Sequence, residues 1–301
     1  VVVEMGMSVP GEIAELARIA EPSVGVVTSV AEAHLAGLGS LAAIAHEKAA
    51  LLRALPSDGV AIIPMDCDVL DGELDAVVAR VVRFGLTNGD VHLVGAPRWH
   101  DGQQHFVASV FGCAVEVVLP ALGVHMVSNA LAALAVAGVV GDNIEAAARQ
   151  LARYQPVGQR LRPLRLAGRL VLEDCYNANP SSVESALHTL RGLPAPRIAV
   201  LGEMRELGPT AESLHRRVAR AAVGIDRLVA LGPFASVMAL AAREVGVQAV
   251  AVDADDIEAA ADAVIDVAVG GATVLVKGSR GARLERVVDA LRVRWTAEEA
   301  A

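Results

Sequence analysis

The sequence predicts an α/β fold built on largely parallel sheets, and two features of the chain support this assignment. Short runs rich in valine, isoleucine and leucine alternate with longer segments of helical periodicity, which is typical of βα units. Polar residues follow several of these runs directly, at the strand ends where open α/β sheets bind ligands. The length of 301 residues is enough for two domains that each bury a core.

The first half of the chain alternates predicted strands with predicted helices. The strands are the β-branched and apolar runs VVVE, SVGVVTSV, GVAIIP and QQHFVASVFGCAVEVVLP, the last being an antiparallel hairpin that turns near Gly112. The helices are about residues 10–20, the segment LAAIAHEKAALLRAL with Ser40 as its N-cap, and about residues 125–140 and 143–154. The polar segment YQPVGQRLRP then marks a domain boundary, so that the predicted domains are residues 1–155 and 156–301.

The second half is more regular and predicts a compact doubly wound, Rossmann-like domain. LRLAGRLVLED supplies its first strands, and EDCYNANPSS leads from a strand into a helix for which Ser181 or Ser182 is the expected cap. Four further apolar runs each precede a helical segment: RIAVLGE, RLVALG, VQAVAVD and ATVLVKGS.

Composition excludes several classes of protein. The net charge is −9 and no basic cluster occurs, which argues against nucleic acid or an anionic membrane as the main partner. The longest apolar run, ALAALAVAGVV, is well short of the roughly 18 to 20 residues that span a bilayer. Three scattered cysteines lack metal-like spacing and suit a reducing compartment. We therefore expect a cytoplasmic protein without membrane insertion.

Lysine usage draws attention to one helix. Lys48 and Lys277 are the only lysines among 26 lysine and arginine residues. Lys48 lies seven residues after Leu41, on the apolar face of the helix that begins after Ser40. The ordinary interpretation is a lysine whose stem lies on the core while its ammonium reaches water. The alternative is an amine that reacts after losing its proton, which guanidinium cannot do.

Other candidate residues lie where strands are predicted to end. They are Glu4 after VVV, His34 in TSVAEAHLAGLGS and Asp174 in EDCYNANPSS. Each has an ordinary interpretation when taken singly: a solvated edge carboxylate, an incidental loop histidine and turn chemistry around NANP. Their order along the chain, together with Lys48, is more informative than any one of them.

That order resembles the Mur ligases, ATP-dependent amide-forming enzymes of peptidoglycan precursor synthesis. The matching segments cover nearly the whole chain in family order: EMGMSVPGEIAELA, AHLAGLGSLAAIAHEKAALL, GVHMVSNALAALAVA, EDCYNANPSSVESAL, VLGEMRELG and VLVKGSRGARLERVV. EMG followed by PGEI, with DxYNANP and LGEMxELG, most resembles the members that add D-alanyl-D-alanine to UDP-N-acetylmuramoyl-tripeptide. The resemblance implies a truncated central ATPase-type domain followed by the C-terminal ligase domain, acting as a monomer in cell wall synthesis.

The resemblance also implies roles for individual residues. Lys48 would be carbamylated by CO2, giving a carboxylate that with His34 holds one Mg2+, while Glu4 holds another at the ATP phosphates. The residues implied in ATP binding are Asn129 and His125 near adenine, Asp174 at the ribose and Arg160 at phosphate. The residues that could support the nucleotide or the incoming amine are Tyr176, Asn177, Asn179, Lys277 and Ser279. For Lys277 a simple strand-to-helix turn is the competing interpretation.

Three departures from the family pattern stand out. Met126 replaces a commonly polar residue near adenine, and Ser29 replaces an asparagine in the loop that carries His34. No GxxxxGK[ST] occurs in the 301 residues, so the phosphate loop and the UDP-sugar domain are expected to lie outside this chain, which would be inactive alone.

Two other functions stay open on the sequence. The chain could belong to another ATP-dependent acid–amino acid ligase of the superfamily, or be a non-catalytic nucleotide-binding module. A nicotinamide dehydrogenase is disfavoured because LGEMRELG lacks the G-x-G-x-x-G that close approach to a pyrophosphate needs.

Overall fold

The computed structural model of the protein describes residues 1–32, 35–100, 102–156 and 158–300 and confirms the α/β fold class. The chain divides into two compact units, Val1–Gln155 and Pro156–Ala301. Each unit contains its own six-stranded sheet, and each is described separately below. None of the helices in the described ranges is long and apolar enough to cross a membrane.

The first unit contains six strands and six α-helices within the described residues. The strands are β1 (Val24–Val26), β2 (Val60–Pro64), β3 (Arg80–Gly85), β4 (Val91–His100), β5 (Gln103–Val110) and β6 (Cys113–Leu119). The helices are α1 (Glu12–Ala20), α2 (Leu35–Leu38), α3 (Leu41–Arg53), α4 (Asp68–Asp71), α5 (Val124–Val139) and α6 (Ile144–Leu151).

The sheet of the first unit follows the order of the chain from β1 to β6. Strands β1 to β4 pair in parallel, and β5 and β6 add an antiparallel hairpin whose turn contains Gly112 at φ +85°, as predicted near that glycine. The strands differ from the sequence prediction at three places. The run VVVE forms no strand, because its exposed β-branched residues meet no pairing partner in the described chain, and β-propensity alone does not make a strand. Strands β3 and β4 were not predicted.

Helix α5 packs on one face of this sheet and supplies the core. Leu131 and Leu134 are fully buried among residues of β2 to β6, including Phe84 and Phe106. A second apolar cluster joins α3 to β2 through Leu52 and Ile63. The two clusters hold the ends of β1 and β2 between α3 and α5.

The second unit contains six strands and five α-helices within the described residues. The strands are β7 (Arg162–Leu166), β8 (Arg169–Asp174), β9 (Arg197–Leu201), β10 (Arg227–Leu231), β11 (Gln248–Val252) and β12 (Thr273–Lys277). The helices are α7 (Pro180–Arg191), α8 (Ala211–Arg220), α9 (Ala235–Glu244), α10 (Ile257–Ile265) and α11 (Glu285–Ala300).

The strand order β11-β10-β9-β12-β8-β7 is that of a doubly wound sheet, as predicted. All neighbours pair in parallel except β7, which runs antiparallel to β8 at the edge. The chain switches from β8 across to β9 and returns through β12, which inserts between them. The carboxyl ends of β8, β9 and β12 therefore lie side by side, and the loops after them share one edge of the sheet.

Candidate functional site

In the first unit, helix α3 presents Lys48 to the loop that follows β1. The helix begins where predicted, because the Ser40 hydroxyl accepts a hydrogen bond from the Ala43 amide at 3.1 Å. Burial of Ile44 and Leu52 then fixes its rotation. Lys48 is half-buried, and its Nζ donates to the Ser29 carbonyl oxygen at 2.6 Å. The amine is thus tied to the loop in which Ser29 stands.

The surroundings of Lys48 make its charged form less favourable than that of a lysine in water. Burial lowers the pKa of the Lys48 amine below its ordinary value, and the neighbouring Cys67 thiol acts in the opposite direction. A neutral amine is the form that can attack an electrophile such as CO2. The site therefore has the reactivity that arginine at this position would lack.

Glu47, the residue before Lys48, has a role that the sequence prediction missed. Its carboxylate is buried and accepts hydrogen bonds from the backbone amides of Gly11 at 2.8 Å and Ile13 at 2.9 Å. These amides belong to the first turn of α1, whose N-cap Gly11 has no capping side chain of its own. Helix α3 thus caps α1 from outside while it holds Lys48, and the apolar spacing of α3 carries no signal for this contact.

Of the two other proposed metal ligands, only Glu4 lies within the described residues. Glu4 is exposed in the segment before α1, which contains no strand. His34 lies outside the described residues. Within the described ranges, no group of three or more His, Cys, Asp and Glu side chains is arranged to hold a metal ion. Lys48 fits a metal site only after carbamylation, since an amine bonded to a carbonyl oxygen is a donor while a carbamate supplies oxygen ligands.

The proposed adenine-contacting residues share the first turns of α5. His125 and Met126 are half-buried and Asn129 is exposed, one helical turn after Met126. The Asn129 amide donates to the Met126 sulfur at 3.8 Å, so the unusual methionine contacts the predicted adenine ligand directly. Met126 also packs against the core beneath α5.

In the second unit, Asp174 and Lys277 form a buried ion pair at the carboxyl edge of the sheet. They are the last residues of β8 and β12 and stand opposite each other in the parallel register. Lys277 Nζ donates to Asp174 Oδ2 at 2.8 Å and to the Asn177 carbonyl at 3.0 Å. Lys277 is 2% exposed and Asp174 is 7% exposed. The Lys277 amine points inward, towards the loop after β8.

The loop after β8 ends in a helix cap that differs from the prediction. Asn179, rather than Ser181 or Ser182, caps α7: its Oδ1 accepts from the Ser182 amide at 2.8 Å. The Ser182 hydroxyl in turn accepts from the Asn179 amide at 3.0 Å, which completes a capping box. Pro180 at the first helical position explains this choice, because it sets the helix start one residue after asparagine.

Ser279 joins three strand-end loops. Its amide donates to the Glu203 carbonyl at 3.0 Å, and its hydroxyl accepts from the Arg205 amide at 2.9 Å. The same hydroxyl lies 3.4 Å from the Ala178 carbonyl, to which it donates. The loops after β8, β9 and β12 are thereby bonded to one buried serine.

His215 holds the LGEMRELG segment in place through a hydrogen bond. It was not among the candidate residues singled out in the sequence. Its Nε2 accepts from the Met204 amide at 2.8 Å, which leaves the ring proton on Nδ1 for the Ala211 carbonyl at 2.7 Å. The ring is fully buried and stacks on Phe234 with centroids 4.1 Å apart. Burial is the main cause of a pKa for His215 below the ordinary value, so the neutral ring is the native form.

Tyr176 and Arg160 meet on the solvent side of this edge. Tyr176 is 41% exposed, and the Arg160 guanidinium carbon lies 4.5 Å from its ring centroid. The structure thus places six proposed nucleotide and substrate residues of the second unit around the ends of β8 and β12: Arg160, Asp174, Tyr176, Asn177, Lys277 and Ser279.

Comparison with known protein families agrees with this architecture. Residues 1–137 match the Mur ligase middle domain, and residues 152–280 match the Mur ligase glutamate ligase domain. The UDP-N-acetylmuramoyl-tripeptide–D-alanyl-D-alanine ligase of Escherichia coli is 35% identical over 98% of this chain and 66% of its own length. The ligase of the same description from Mycobacterium tuberculosis is 36% identical over 96% of this chain and 62% of its own length. The chain thus spans somewhat less than two thirds of each of these relatives.

Solved structures show the same two units. MurF ligase from Thermotoga maritima, determined in complex with ADP, has a TM-score of 0.88 at 26% identity and covers 99% of this chain, which covers 67% of it. MurF from Acinetobacter baumannii has a TM-score of 0.89 at 28% identity, over 97% of this chain and 64% of its own. The chain belongs to the Mur ligase family and comprises its middle and C-terminal domains.

Proposed function

We propose that this chain is the nucleotide- and amine-binding part of a cytoplasmic ligase that joins D-alanyl-D-alanine to UDP-N-acetylmuramoyl-tripeptide. In this reaction the substrate carboxylate takes the γ-phosphoryl group of ATP, and the dipeptide amine displaces phosphate from the acyl phosphate to form the amide. The observation that carries the proposal is Lys48, a half-buried lysine with a lowered pKa in the family segment AHEKAALL. Identity of 35% with a ligase of this description supports the choice of substrates.

Carbamylation is the chemistry proposed for Lys48. The neutral amine attacks CO2, a C–N bond forms, and one proton leaves to water, giving a carbamate anion. Burial lowers the pKa of the amine and so increases the fraction able to react. The carbamate and His34 would hold one Mg2+ and Glu4 would hold another, and these ions when bound would neutralise phosphate charge.

The second unit would contribute Asp174 and Arg160 to ATP binding and would also hold the incoming amine. Asp174 offers its Oδ1 to a ribose hydroxyl, because Lys277 bonds to Oδ2 and no described residue bonds to the other oxygen. Arg160 would contact a phosphate, whereas the residues proposed for adenine, Asn129 and His125, are on α5 of the first unit. Lys277, Asn179 and Ser279 are proposed as positioning residues, since their polar atoms are bonded within the protein.

The test is ligation with UDP-N-acetylmuramoyl-tripeptide, D-alanyl-D-alanine and ATP, measured as phosphate release. The 301-residue chain alone should show no turnover, because it contains no GxxxxGK[ST] segment to cradle the triphosphate. Fusion to a segment that supplies the phosphate loop and sugar-binding domain of a relative should produce ATP-dependent ligation. Robust turnover by residues 1–301 alone would show that a different phosphate site exists.

The competing function is a ligase of the same superfamily that uses another amine. The same fusion assayed with single amino acids in place of the dipeptide separates the two. A preference for a single amino acid would replace the proposed substrate while leaving the ligase chemistry intact.

A further inference from the structure

Two arginine guanidinium groups lie near the ring of Tyr176 at the carboxyl edge of the second sheet. The guanidinium carbon of Arg160 is 4.5 Å from the ring centroid, and that of Arg280 is 5.7 Å from the same centroid. Both distances are within the range in which a cation is attracted to an aromatic ring. Of the two arginines, the family resemblance implies a role only for Arg160, and Arg280 has so far been assigned no role.

The backbone brings these three residues together by a simple route. Tyr176 follows the end of β8, and Arg280 follows the end of the adjacent parallel strand β12. Arg160 is held beside them because the Tyr176 amide donates to the Gln159 carbonyl at 3.2 Å. The arrangement therefore rests on the register of two central strands and one backbone bond.

The N–H donors of the two guanidinium groups are available to bind a ligand. Within the described part of the chain, the guanidinium groups of Arg160 and Arg280 contact the ring and make no hydrogen bond or ion pair. The nearby carboxylates are already engaged: Asp174 with Lys277 at 2.8 Å, and Glu203 with Arg205 at 3.1 Å. The positive charges of the two guanidinium groups repel each other, and an anion bound by both groups would offset this repulsion.

We propose that Arg160, Tyr176 and Arg280 form a clamp for one oxyanion group of a substrate. Guanidinium forks bind carboxylate and phosphate oxygens in pairs, and the ring holds both forks in place. The proposed function, on which the choice of ligand rests, offers two sources of this group: a phosphate of the nucleotide or the free carboxylate of the dipeptide. Arg280 is the new binding residue, and Tyr176 acts through the two arginines as their platform.

The experiment follows arginine Nε–H signals by NMR in the 301-residue chain. Inorganic phosphate should shift the signals of Arg160 and Arg280 along a saturating curve, beyond any shift from sodium chloride at equal ionic strength. Arg280→Gln should weaken this binding about tenfold, the order expected for loss of a charge-assisted bond pair, and Arg280→Lys should weaken it less. Arg292→Gln is the matched control, because Arg292 is an exposed arginine paired with Asp289 at 2.9 Å.

Two ligand pairs then identify the source of the oxyanion. ADP is compared with adenosine, and D-alanyl-D-alanine with its C-terminal amide. In one of the two pairs, only the anionic member should shift the Arg160 and Arg280 signals, and Arg280→Gln should abolish this difference. That pair identifies the oxyanion group. Phosphate binding without either pair responding keeps the clamp and counts against the proposed function. Phosphate shifts no larger than those with chloride, or unaltered by Arg280→Gln, would overturn the clamp and leave the proposed function untouched.

Discussion

Replacing Lys277 with methionine tests the buried ion pair of the second unit most directly. Methionine keeps most of the length of the side chain but leaves the Asp174 carboxylate without its partner, at a site where the aspartate is 7% exposed. Removing one member of a buried pair costs about 3–5 kcal/mol of unfolding free energy. The lost bond to the Asn177 carbonyl contributes about 1 kcal/mol of this.

The assay is urea unfolding followed by Trp295 fluorescence in a Trp99→Phe background, which leaves the fully buried Trp295 of the second unit as the only tryptophan. Asp174→Asn combined with Lys277→Met should be less destabilised than the sum of the single variants, because neither charge is then left alone. Lys48→Met, at the only other lysine, should leave the Trp295 transition in place. A penalty below about 1 kcal/mol would refute the buried pair.

Three further predictions concern other residues. His215 has a lowered pKa, so its stabilising contribution is complete above its ordinary value of 6.5 and is lost as the pH falls below it. The unfolding free energy measured from pH 8 to pH 5 should therefore fall less steeply in His215→Gln than in wild type, and equal slopes would contradict the buried neutral ring. Lys48 should give a carbamate signal by carbon-13 NMR in labelled bicarbonate, separate from that of the Val1 amine; Lys48→Arg should lose it and, in the ligating fusion, lose turnover. Persistence of activity in Lys48→Arg would remove the proposed role. Met126→Asn should tighten ATP binding by about 1 kcal/mol in that fusion if it adds one hydrogen bond. A larger dissociation constant for ATP would mean instead that packing of Met126 against the core contributes more to ATP binding than the added hydrogen bond.

The sequence predicted most elements whose local pattern matches their final environment. The Ser40 cap and the Gly112 turn are local signals, and both are confirmed. Strand β4 is different, because its pairing with β5 shifts register between Val94 and Arg98, around glycine and proline, and this irregularity interrupts the alternation that identifies a strand. At the N-terminus, three valines indicated a strand that has no partner among the described residues.

The candidate site was predictable as a set of residues but not as a set of bonds. Lys48 and Asp174 were found from motif order and strand ends. The contacts that build the site span long stretches of the chain: Lys277 is 103 residues from Asp174, and Glu47 accepts from the Ile13 amide, 34 residues earlier in the first turn of α1. Such contacts depend on strand order and helix packing, which no local pattern encodes. Asn179 is the exception, because asparagine followed by proline is a local signal for a helix cap. The prediction chose Ser181 or Ser182 instead, since serine is also a common cap residue.

The bonding of three loops to Ser279 has a consequence for redesign of the ligase. The loops after β8, β9 and β12 share this one hydroxyl and amide, so a new sequence grafted into one loop must still present a partner to the other two. Substituting loops one at a time should therefore give variants that are impaired whatever amine they were intended to accept. Exchange of amine specificity between relatives should be attempted with all three loops transferred as a single cassette, together with the serine that joins them.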